Sequence, residues 1–281
     1  MRVALAFGTF AFSVATTACV VNVDSQALIE RDEKRFAVNG TPELNLATFD
    51  GAIEIRSANE SGVVVDIEKR GATREAIDGL IVNVTQEGDR ITVHVKRPKS
   101  ETLTGFGFRP SASAKLIVSV PERANIVARS GDGAIKVERV AGRLELSTGD
   151  GSIRASDVGG DIRLNTGDGS IHVSGAEGEL EVGTGDGSIE VAGSVTALKL
   201  HTGDGAIVYR ADNRTIMSDD WEITTGDGSV TVYLPEGFSA DLDARTSDGG
   251  IRNELQVGAL NAEAEEGTAR QQDENSRRVV R

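Results

Sequence analysis

The sequence has few cysteine, proline and aromatic residues, and its excess charge is of one sign. A single Cys among 281 residues excludes an internal disulfide. Aromatic residues make up only 4%, which argues against a sugar-stacking groove or a haem or flavin pocket. A net charge of -14 argues against a nucleic-acid partner, because binding a phosphate backbone requires clustered Lys and Arg. The 38% of hydrophobic residues is nevertheless enough for a real core.

The N-terminus has the organisation of a secretory signal. Arg2 precedes an uncharged apolar run over residues 3–15, which is too short to span a bilayer, since a transmembrane helix needs about 20 apolar residues. Cys19 follows the small residue Ala18, so residues 1–18 resemble a bacterial lipoprotein signal peptide, after which the Cys takes lipid chains. Thr16 departs from that pattern, in which an aliphatic residue is usual. The alternative is an ordinary signal peptide with Cys19 nearby by chance.

Residues 19–35 are polar and include consecutive charges at 30–35, which predicts a tether between a lipid anchor and a folded domain. Two or more acyl chains make such an anchor stable. Val20, rather than Asp, follows the Cys, and this does not favour inner-membrane retention. We therefore expect an exported lipoprotein anchored in the bacterial cell envelope, at the outer membrane or the cell surface.

A hexad of the form Thr/Ser-x-Asp-Gly-x-Ile/Val recurs eight times along the chain. From Asp132 to Asp204 the step between successive copies is 18 residues, and the next two steps are 23 and 21 residues. An insertion of five residues therefore lies between Asp204 and Asp227, and we place it within residues 211–220. The Asp-Gly pairs of the hexads are Asp50-Gly51, Asp132-Gly133, Asp150-Gly151, Asp168-Gly169, Asp186-Gly187, Asp204-Gly205, Asp227-Gly228 and Asp248-Gly249.

Each period contains two short runs of alternating hydrophobicity, for example residues 153–155 and 162–164, which predict half-buried strands. The outward position of the second strand alternates in charge down the repeats. Equivalent positions are lateral neighbours, about 4.8 Å apart, only if successive coils stack in parallel. We therefore predict an all-β fold, a β-solenoid of the parallel β-helix type with two-strand coils of about 18 residues, rather than a meander of hairpins. The residues with alternating charge are Glu145, Arg163, Glu181, Lys199 and Glu222.

The hexads are predicted to be structural turns. The residue after Asp is Gly in every copy, whereas the residue before it is Phe49 or Ser247 in two copies. We expect this Gly to have φ > 0 and the Asp carboxylate to accept hydrogen bonds from amides one or two residues on. The alternative is a calcium ladder, because unit charges about 4.8 Å apart in water repel by about 0.9 kcal/mol per pair. Ca²⁺ takes six to eight oxygen ligands, more than one carboxylate per coil readily supplies, so we predict no metal and no cofactor.

The rest of the chain divides by its regularity. We expect a single domain over residues 36–257, with irregular N-terminal coils and a cap at 36–129 and regular repeats at 130–257. Residues 258–281 are polar, lack a hexad and are expected to be a loosely ordered tail. The loop at 104–110 contains two Phe and is either a contact patch or a segment folded over the flank of the solenoid.

The sequence contains no constellation that indicates catalysis. His94, His172 and His201 are 78 and 29 residues apart and lack the spacing of a zinc site. With 44 acidic residues, paired carboxylates carry little weight for a glycosidase. Trp221 occupies an inward position of a predicted strand, which indicates core packing.

A group of motifs supports a family resemblance. Val120-Pro121-Glu122, the run of Thr-Gly-Asp-Gly-Ser-Ile hexads, the segment 220–230 and Leu234-Pro235 resemble the bacterial β-strand-repeat family of unknown function, whose members are often described as "putative adhesins". The resemblance covers residues from about Phe36 to the end. It implies a β-solenoid-like fold and an exported, often membrane-attached location, and it supplies no catalytic residues.

Three functions are compatible with the sequence. The first is a non-enzymatic envelope lipoprotein whose acidic solenoid is an adhesin-like binding or scaffolding surface for an envelope protein or glycan. The second is a carbohydrate-active β-helix lyase or hydrolase, and the third is a calcium-stabilised structural module. An enzyme is expected to bring acidic residues, Arg and aromatic residues together on one face of the solenoid, whereas a scaffold is expected to have an evenly polar surface.

Overall fold

The computed structural model describes residues 28–59, 62–97, 112–247 and 250–253, together with the backbone of two short strands at 268–271 and 279–280. The predicted signal peptide, Cys19, the loop at 104–110 and the pair Asp248-Gly249 lie outside the described residues. In the part of the chain that is described, no helix combines the length and the apolar character that crossing a membrane requires.

The regular secondary structure of the described residues is almost all strand, and their single helix, α1 (Arg74–Asp78), is one turn long. Thr73 caps this helix, since its hydroxyl accepts a hydrogen bond from the backbone N–H of Ala76 at 3.2 Å. The strands are β1 (Leu28–Ala37), β2 (Glu43–Thr48), β3 (Ile53–Ser57), β4 (Gly62–Gly71), β5 (Ile81–Glu87), β6 (Arg90–Lys96), β7 (Ala112–Val120), β8 (Asn125–Ser130), β9 (Ile135–Glu138), β10 (Ala141–Thr148), β11 (Ile153–Ser156), β12 (Gly159–Thr166), β13 (Ile171–Thr184), β14 (Ile189–Thr202), β15 (Ile207–Ala211), β16 (Trp221–Thr225), β17 (Val230–Tyr233), β18 (Asp241–Arg245), β19 (Thr268–Gln271) and β20 (Val279–Val280).

Parallel pairing arranges the repeat region in two columns. The first column contains the strands that end at an Asp-Gly turn, namely β2, β8, β10, β12, the later parts of β13 and β14, and β16. The second column contains the strands that begin after the turn, namely β3, β9, β11, the early parts of β13 and β14, β15 and β17. Ile153, for example, pairs with Ile135 on one side and with Ile171 on the other. The predicted all-β class and the mostly parallel, solenoid-like sheet are confirmed.

The strands of both columns point alternate side chains into a shared core. Leu144 and Leu146 of the first column and Ile153 and Ala155 of the second are all fully buried. Full burial of a Leu or Ile side chain stabilises the fold by about 1.5 to 3 kcal/mol, so a short strand gains most of its stability from two or three such residues. The alternation of apolar and polar residues in the sequence therefore determines which face of each strand is inward.

The Gly after each Asp is required for a different reason from the one predicted. None of these glycines in the described turns has a positive φ. Instead, the turns stack so closely that a Cβ on Gly151 would lie under 3.0 Å from the carbonyl oxygen of Gly133 in the neighbouring turn. Positive φ occurs at the opposite corner, where Gly160 has φ 108°. The Asp-Gly pair is therefore a close-packing requirement between turns and not a backbone-angle requirement.

The N-terminal part closes one end of the stack out of sequence order. β2 pairs with β6 as well as with β8, and β3 pairs with β7 as well as with β9, so the coil that contains Asp50 lies inside the stack. Antiparallel partners complete this end, because β5 pairs with β6 and β4 joins β7 to β1. Residues 28–35 therefore belong to strand β1, which corrects the predicted tether over 19–35. Its side chains are exposed or partly buried without a regular alternation, and its backbone pairs with β4 along its whole length.

The C-terminal part packs around aromatic side chains. Trp221 is fully buried, as predicted, and its ring centroid lies 5.2 Å from that of Tyr209 and 5.3 Å from that of Phe238. The segment 211–220, which contains the predicted insertion, returns to the core through Thr215 and Met217, both of which are buried. Residues 268–271 and 279–280, which were assigned to the polar tail, form β19 and β20 and pair with β18 and β16.

Candidate functional site

The side of the stack where the two columns meet at the Asp-Gly turns is named the aspartate edge. Its six regular carboxylates are exposed, and none of them has a hydrogen bond or an ion pair to a described residue. Asp50, at the N-terminal end of the same edge, differs, because Arg97 donates to its carboxylate at 2.7 Å and also lies over the ring of Phe49. The six carboxylates belong to Asp132, Asp150, Asp168, Asp186, Asp204 and Asp227.

Threonine hydroxyls, and not the aspartates, satisfy the backbone of these turns. The hydroxyl of Thr166 donates to the carbonyl oxygens of Gly149 and Gly151 in the preceding turn, at 3.1 and 2.9 Å. The same hydroxyl accepts from the N–H of Gly169 in its own turn at 3.3 Å. The predicted hydrogen bonds from nearby amides to the Asp carboxylates are absent from the described turns. The buried Thr already satisfies the polar groups of the turn, which leaves each Asp side chain directed to solvent.

Backbone contacts fix the spacing of the aspartate edge. The N–H of Gly167 donates to the carbonyl oxygen of Gly149 at 2.6 Å, and the N–H of Gly185 donates to that of Gly167 at the same distance. Each Asp is therefore held at a constant offset from the next. In the described part of the chain, no group of three His, Cys, Asp or Glu side chains is close enough to bind a metal ion. The edge is thus a linear array of separate negative charges, which suits contact with an extended or multivalent basic group.

The flat face of the first column is also charged, but its charges are paired. As predicted, Glu145, Arg163 and Glu181 are neighbours in register, and Lys199 and Glu222 continue the row. Arg163 contacts Asp161 at 3.0 Å and Glu181 at 3.3 Å. The adjacent carboxylate of Asp161 raises the pKa of the Arg163 guanidinium above its usual value. These charges neutralise one another, unlike those of the aspartate edge.

The three histidines lie on different strands and make separate contacts. His172 Nδ1 lies 3.2 Å from the carboxylate of Glu190, and His201 Nδ1 lies 2.9 Å from the hydroxyl of Thr224. His94 is partly buried on β6, and its Nε2 lies 3.2 Å from Asn45 Oδ1. Burial, with the nearby positive charges of Lys96 and Arg129, lowers the pKa of His94. The structure brings none of them together with a second histidine.

A groove at the N-terminal end of the stack could not be predicted from the sequence. It has a volume of about 460 Å³ and lies between β1 and β5, with Phe36, Val82 and Val84 among its lining residues. The two strands are separated by the 43 residues 38–80 and have no common motif. No signal in the sequence indicates that they face each other.

Comparison with known proteins assigns the chain to a family. Residues 42–281 match the family called Toastrack DUF4097. The chain belongs to the Toastrack DUF4097 family. The resemblance to a β-strand-repeat family of unknown function is thereby confirmed, and it covers most of the chain. No curated protein matches this Toastrack chain.

Several solved structures are similar to this Toastrack chain. A "putative cell adhesion protein" from Clostridium sporogenes is 12% identical, with a TM-score of 0.35 over 73% of this chain and 99% of that one. A "putative adhesin" from Bacteroides fragilis is also 12% identical, with a TM-score of 0.35 over 75% of this chain and 95% of that one. A "putative lipid binding protein" from Parabacteroides distasonis is 12% identical, with a TM-score of 0.32 over 73% of this chain and 94% of that one.

Proposed function

We propose that this protein is a non-enzymatic exported lipoprotein of the cell envelope whose aspartate edge binds a basic partner, either a protein or a cationic glycan. The observation that carries the proposal is the difference between the two charged surfaces. Charges on the flat face of the first column are compensated, whereas the six regular Asp side chains have no described partner. Uncompensated surface charge of one sign attracts and orients a partner of the opposite sign.

The repeat supports an adhesin-like role because it multiplies one weak contact. In this proposal each 18-residue period is one two-strand coil, and each coil adds one carboxylate to the edge. A single exposed ion pair contributes about 0 to 1 kcal/mol. Several contacts on one rigid scaffold act together, so that the overall affinity exceeds that of any single contact.

The lipoprotein part of the proposal rests on Cys19 and the preceding signal-like segment. Because β1 begins at Leu28, a linker of eight residues would separate the lipidated Cys from the first strand. The N-terminal end of the stack would then face the membrane, and the aspartate edge would extend away from it. Expression of Cys19→Ala tests the anchor. We expect the variant to be released from the membrane fraction, and a membrane-bound Cys19→Ala variant would contradict lipidation.

The binding function is tested with a charge-neutral edge. We compare the wild-type protein with a triple variant, Asp150→Asn, Asp168→Asn and Asp186→Asn, in binding to poly-lysine and to isolated envelopes. The matched control neutralises three paired charges instead, with Glu145→Gln, Glu181→Gln and Glu222→Gln. We expect the edge variant to lose most of its binding and the control to retain it, with binding of both weakened by salt. Equal binding by the two variants would overturn the proposed role of the edge.

A further inference from the structure

The outward face of the second column has a row of residues in which the sign of the charge does not alternate. Parallel pairing places Lys136, Arg154 and His172 side by side in successive coils. The equivalent row of the first column alternates between Glu and a basic residue from Glu145 to Glu222. Neighbouring strands are about 4.8 Å apart, and like charges directly opposite each other destabilise a sheet. The second column therefore contains a row of basic side chains that does not favour its stability.

Arg154, at the centre of this row, is exposed and has no ion pair with a described residue. Its guanidinium donates to the hydroxyl of Ser152 at 3.1 Å, and the next outward residue along the strand is Ser156. In the following coil Ser174 pairs with Ser156, and its hydroxyl donates to that of Ser156 at 3.2 Å. The positive charge of Arg154 is therefore open to a ligand from solvent, and hydroxyl groups lie on both sides of it.

The carboxylates beside this row already have other basic partners. A hydrogen bond from Lys136, together with the positive charges of nearby arginines, lowers the pKa of Glu138. Glu54 and Glu190 continue the row at its two ends, and both are engaged. The contacts are Lys115 to Glu54 at 2.8 Å, Lys136 to Glu138 at 2.7 Å, Arg210 to Glu190 at 2.7 Å and His172 to Glu190 at 3.2 Å. The charge of Arg154 therefore remains uncompensated among the described residues.

The surroundings of the row determine which kind of anion fits it. The strands of the second column begin just after the Asp-Gly turns, so the aspartate edge borders the row; Arg154, for example, lies shortly after Asp150. A broad negative surface, such as an anionic membrane, would also meet the aspartate edge and be repelled. A single linear chain is narrow enough to follow the row along the stack. The serine hydroxyls beside the row donate and accept hydrogen bonds, which favours a hydroxyl-bearing chain such as a glycan.

We propose that the row of Lys136, Arg154 and His172 binds a linear glycan that carries carboxylate groups. Arg154 is the principal contact, because a guanidinium binds a carboxylate with two parallel hydrogen bonds. Lys136 and His172 contact neighbouring sugars along the stack, so that several weak contacts act together. The site has the opposite charge to the aspartate edge and lies on a different face. It does not depend on the function proposed for that edge.

The test measures binding of the purified full chain to polygalacturonate, a linear glycan with a carboxylate on every sugar. We expect binding at low salt that added salt weakens, because screening acts on exposed charges. Dextran, which is uncharged, is expected not to bind. Vesicles of phosphatidylglycerol represent the membrane alternative and are expected to bind more weakly than the glycan. The proposal is overturned if polygalacturonate does not bind at low salt, or if the vesicles bind more tightly.

Charge reversal identifies the site. Arg154→Glu replaces attraction by repulsion at the centre of the row and is expected to weaken binding of polygalacturonate by roughly tenfold or more. Arg163→Glu changes the net charge by the same amount on the first column and is the matched control, which is expected to retain binding. Equal losses in the two variants would show that binding depends on net charge alone and would refute the assignment to the row.

The melting temperature separates a binding role of Arg154 from a structural one. Arg154→Glu places a carboxylate between Lys136 and His172 and gives this row the alternation of charge found in the first column. We therefore expect the melting temperature to equal or exceed that of the wild type while glycan binding is lost. If binding and melting temperature fall together, Arg154 acts through the fold and is not a ligand-binding residue.

Discussion

The hydroxyl of Thr166 donates to the carbonyl oxygen of Gly151 at 2.9 Å, although the two residues belong to different turns. The same contact recurs in neighbouring turns, where Thr184 donates to Gly169 at 3.0 Å and Thr202 donates to Gly187 at 2.9 Å. One hydroxyl therefore links its own turn to the preceding one in every period. These buried threonines form a row that holds the turns together, and the exposed aspartates of the same turns form the aspartate edge.

Thr166→Val is expected to destabilise the protein. Val keeps the shape of the side chain but leaves the carbonyl oxygen of Gly151 and the N–H of Gly169 without this partner, and a buried unsatisfied group costs about 1 to 3 kcal/mol. Thr166→Ser retains the hydroxyl and is the matched control, with an expected loss under about 1 kcal/mol for the missing methyl group. Denaturant unfolding followed by the fluorescence of Trp221 measures both changes. Equal stability of the Val variant and the wild type would contradict the role of the hydroxyl.

Gly151→Ala is expected to be more harmful than its small size suggests. The added Cβ would meet the carbonyl oxygen of Gly133, which is backbone and has no room to move within the stack. Overpacking of this kind costs about 1 to 3 kcal/mol or more. Gly159→Ala is the control, because its Cβ would have no neighbour closer than 3.7 Å and no positive φ is required. Melting temperatures that fall equally in both variants would show that close stacking is not the cause.

Arg163→Glu is expected to have a modest effect that depends on salt. The new carboxylate would face Asp161 and Glu181, which now contact the guanidinium at 3.0 and 3.3 Å. Exposed ion pairs contribute about 0 to 1 kcal/mol to the free energy of unfolding. We therefore expect a loss of that order at low salt, and a smaller loss in about 0.5 M salt, where screening is stronger. Arg154→Glu reverses a charge on the second column, where, among the described residues, the side chain donates to the hydroxyl of Ser152. A loss that salt leaves unchanged would point to packing instead of charge.

His94 is expected to make stability depend on pH. Its folded-state pKa lies below the value of about 6.5 for an unfolded His, so the unfolded chain binds the proton more readily between these two values. The contribution of neutral His94 to the free energy of unfolding is therefore complete above about pH 6.5 and is lost as the pH falls towards the folded-state pKa. His94→Gln should flatten the fall in melting temperature between about pH 7.5 and about pH 5. A wild-type slope in the His94 variant would contradict this assignment.

The sequence predicts the regular half of the fold well because each period of the repeat corresponds to one coil that stacks on the next. The alternating charges from Glu145 to Glu222 and the inward position of Trp221 follow from period-two patterns, and both are found in the structure. The predicted reason for the invariant Gly after Asp, a positive φ, is wrong. One sequence does not distinguish a positive φ from a close approach between turns. The corner glycines, such as Gly160, are the ones that need the unusual angle.

The N-terminal end was less predictable because its neighbours are distant in sequence. Strand β1 lies where a tether was expected, and no local pattern indicates that its charged residues pair with β4. The groove between β1 and β5 likewise arises from two strands with no shared motif. The sequence predicts the row of aspartates, but it does not show that their carboxylates lack amide partners. The hydroxyl of Thr already fills the role that was expected of Asp.

The position of the Asp50 coil inside the stack bears on how the chain avoids misalignment. A repeat with near-identical turns could slip by one whole period and still form every Thr-to-Gly contact. Parts of the chain that do not repeat oppose such a frame error. Strands β6 and β7 on one side of β2 and β3, and the segment 211–220 at the other end, are non-periodic and each fits one location. The non-repeating segments at the two ends thus fix the register in which the near-identical central coils stack.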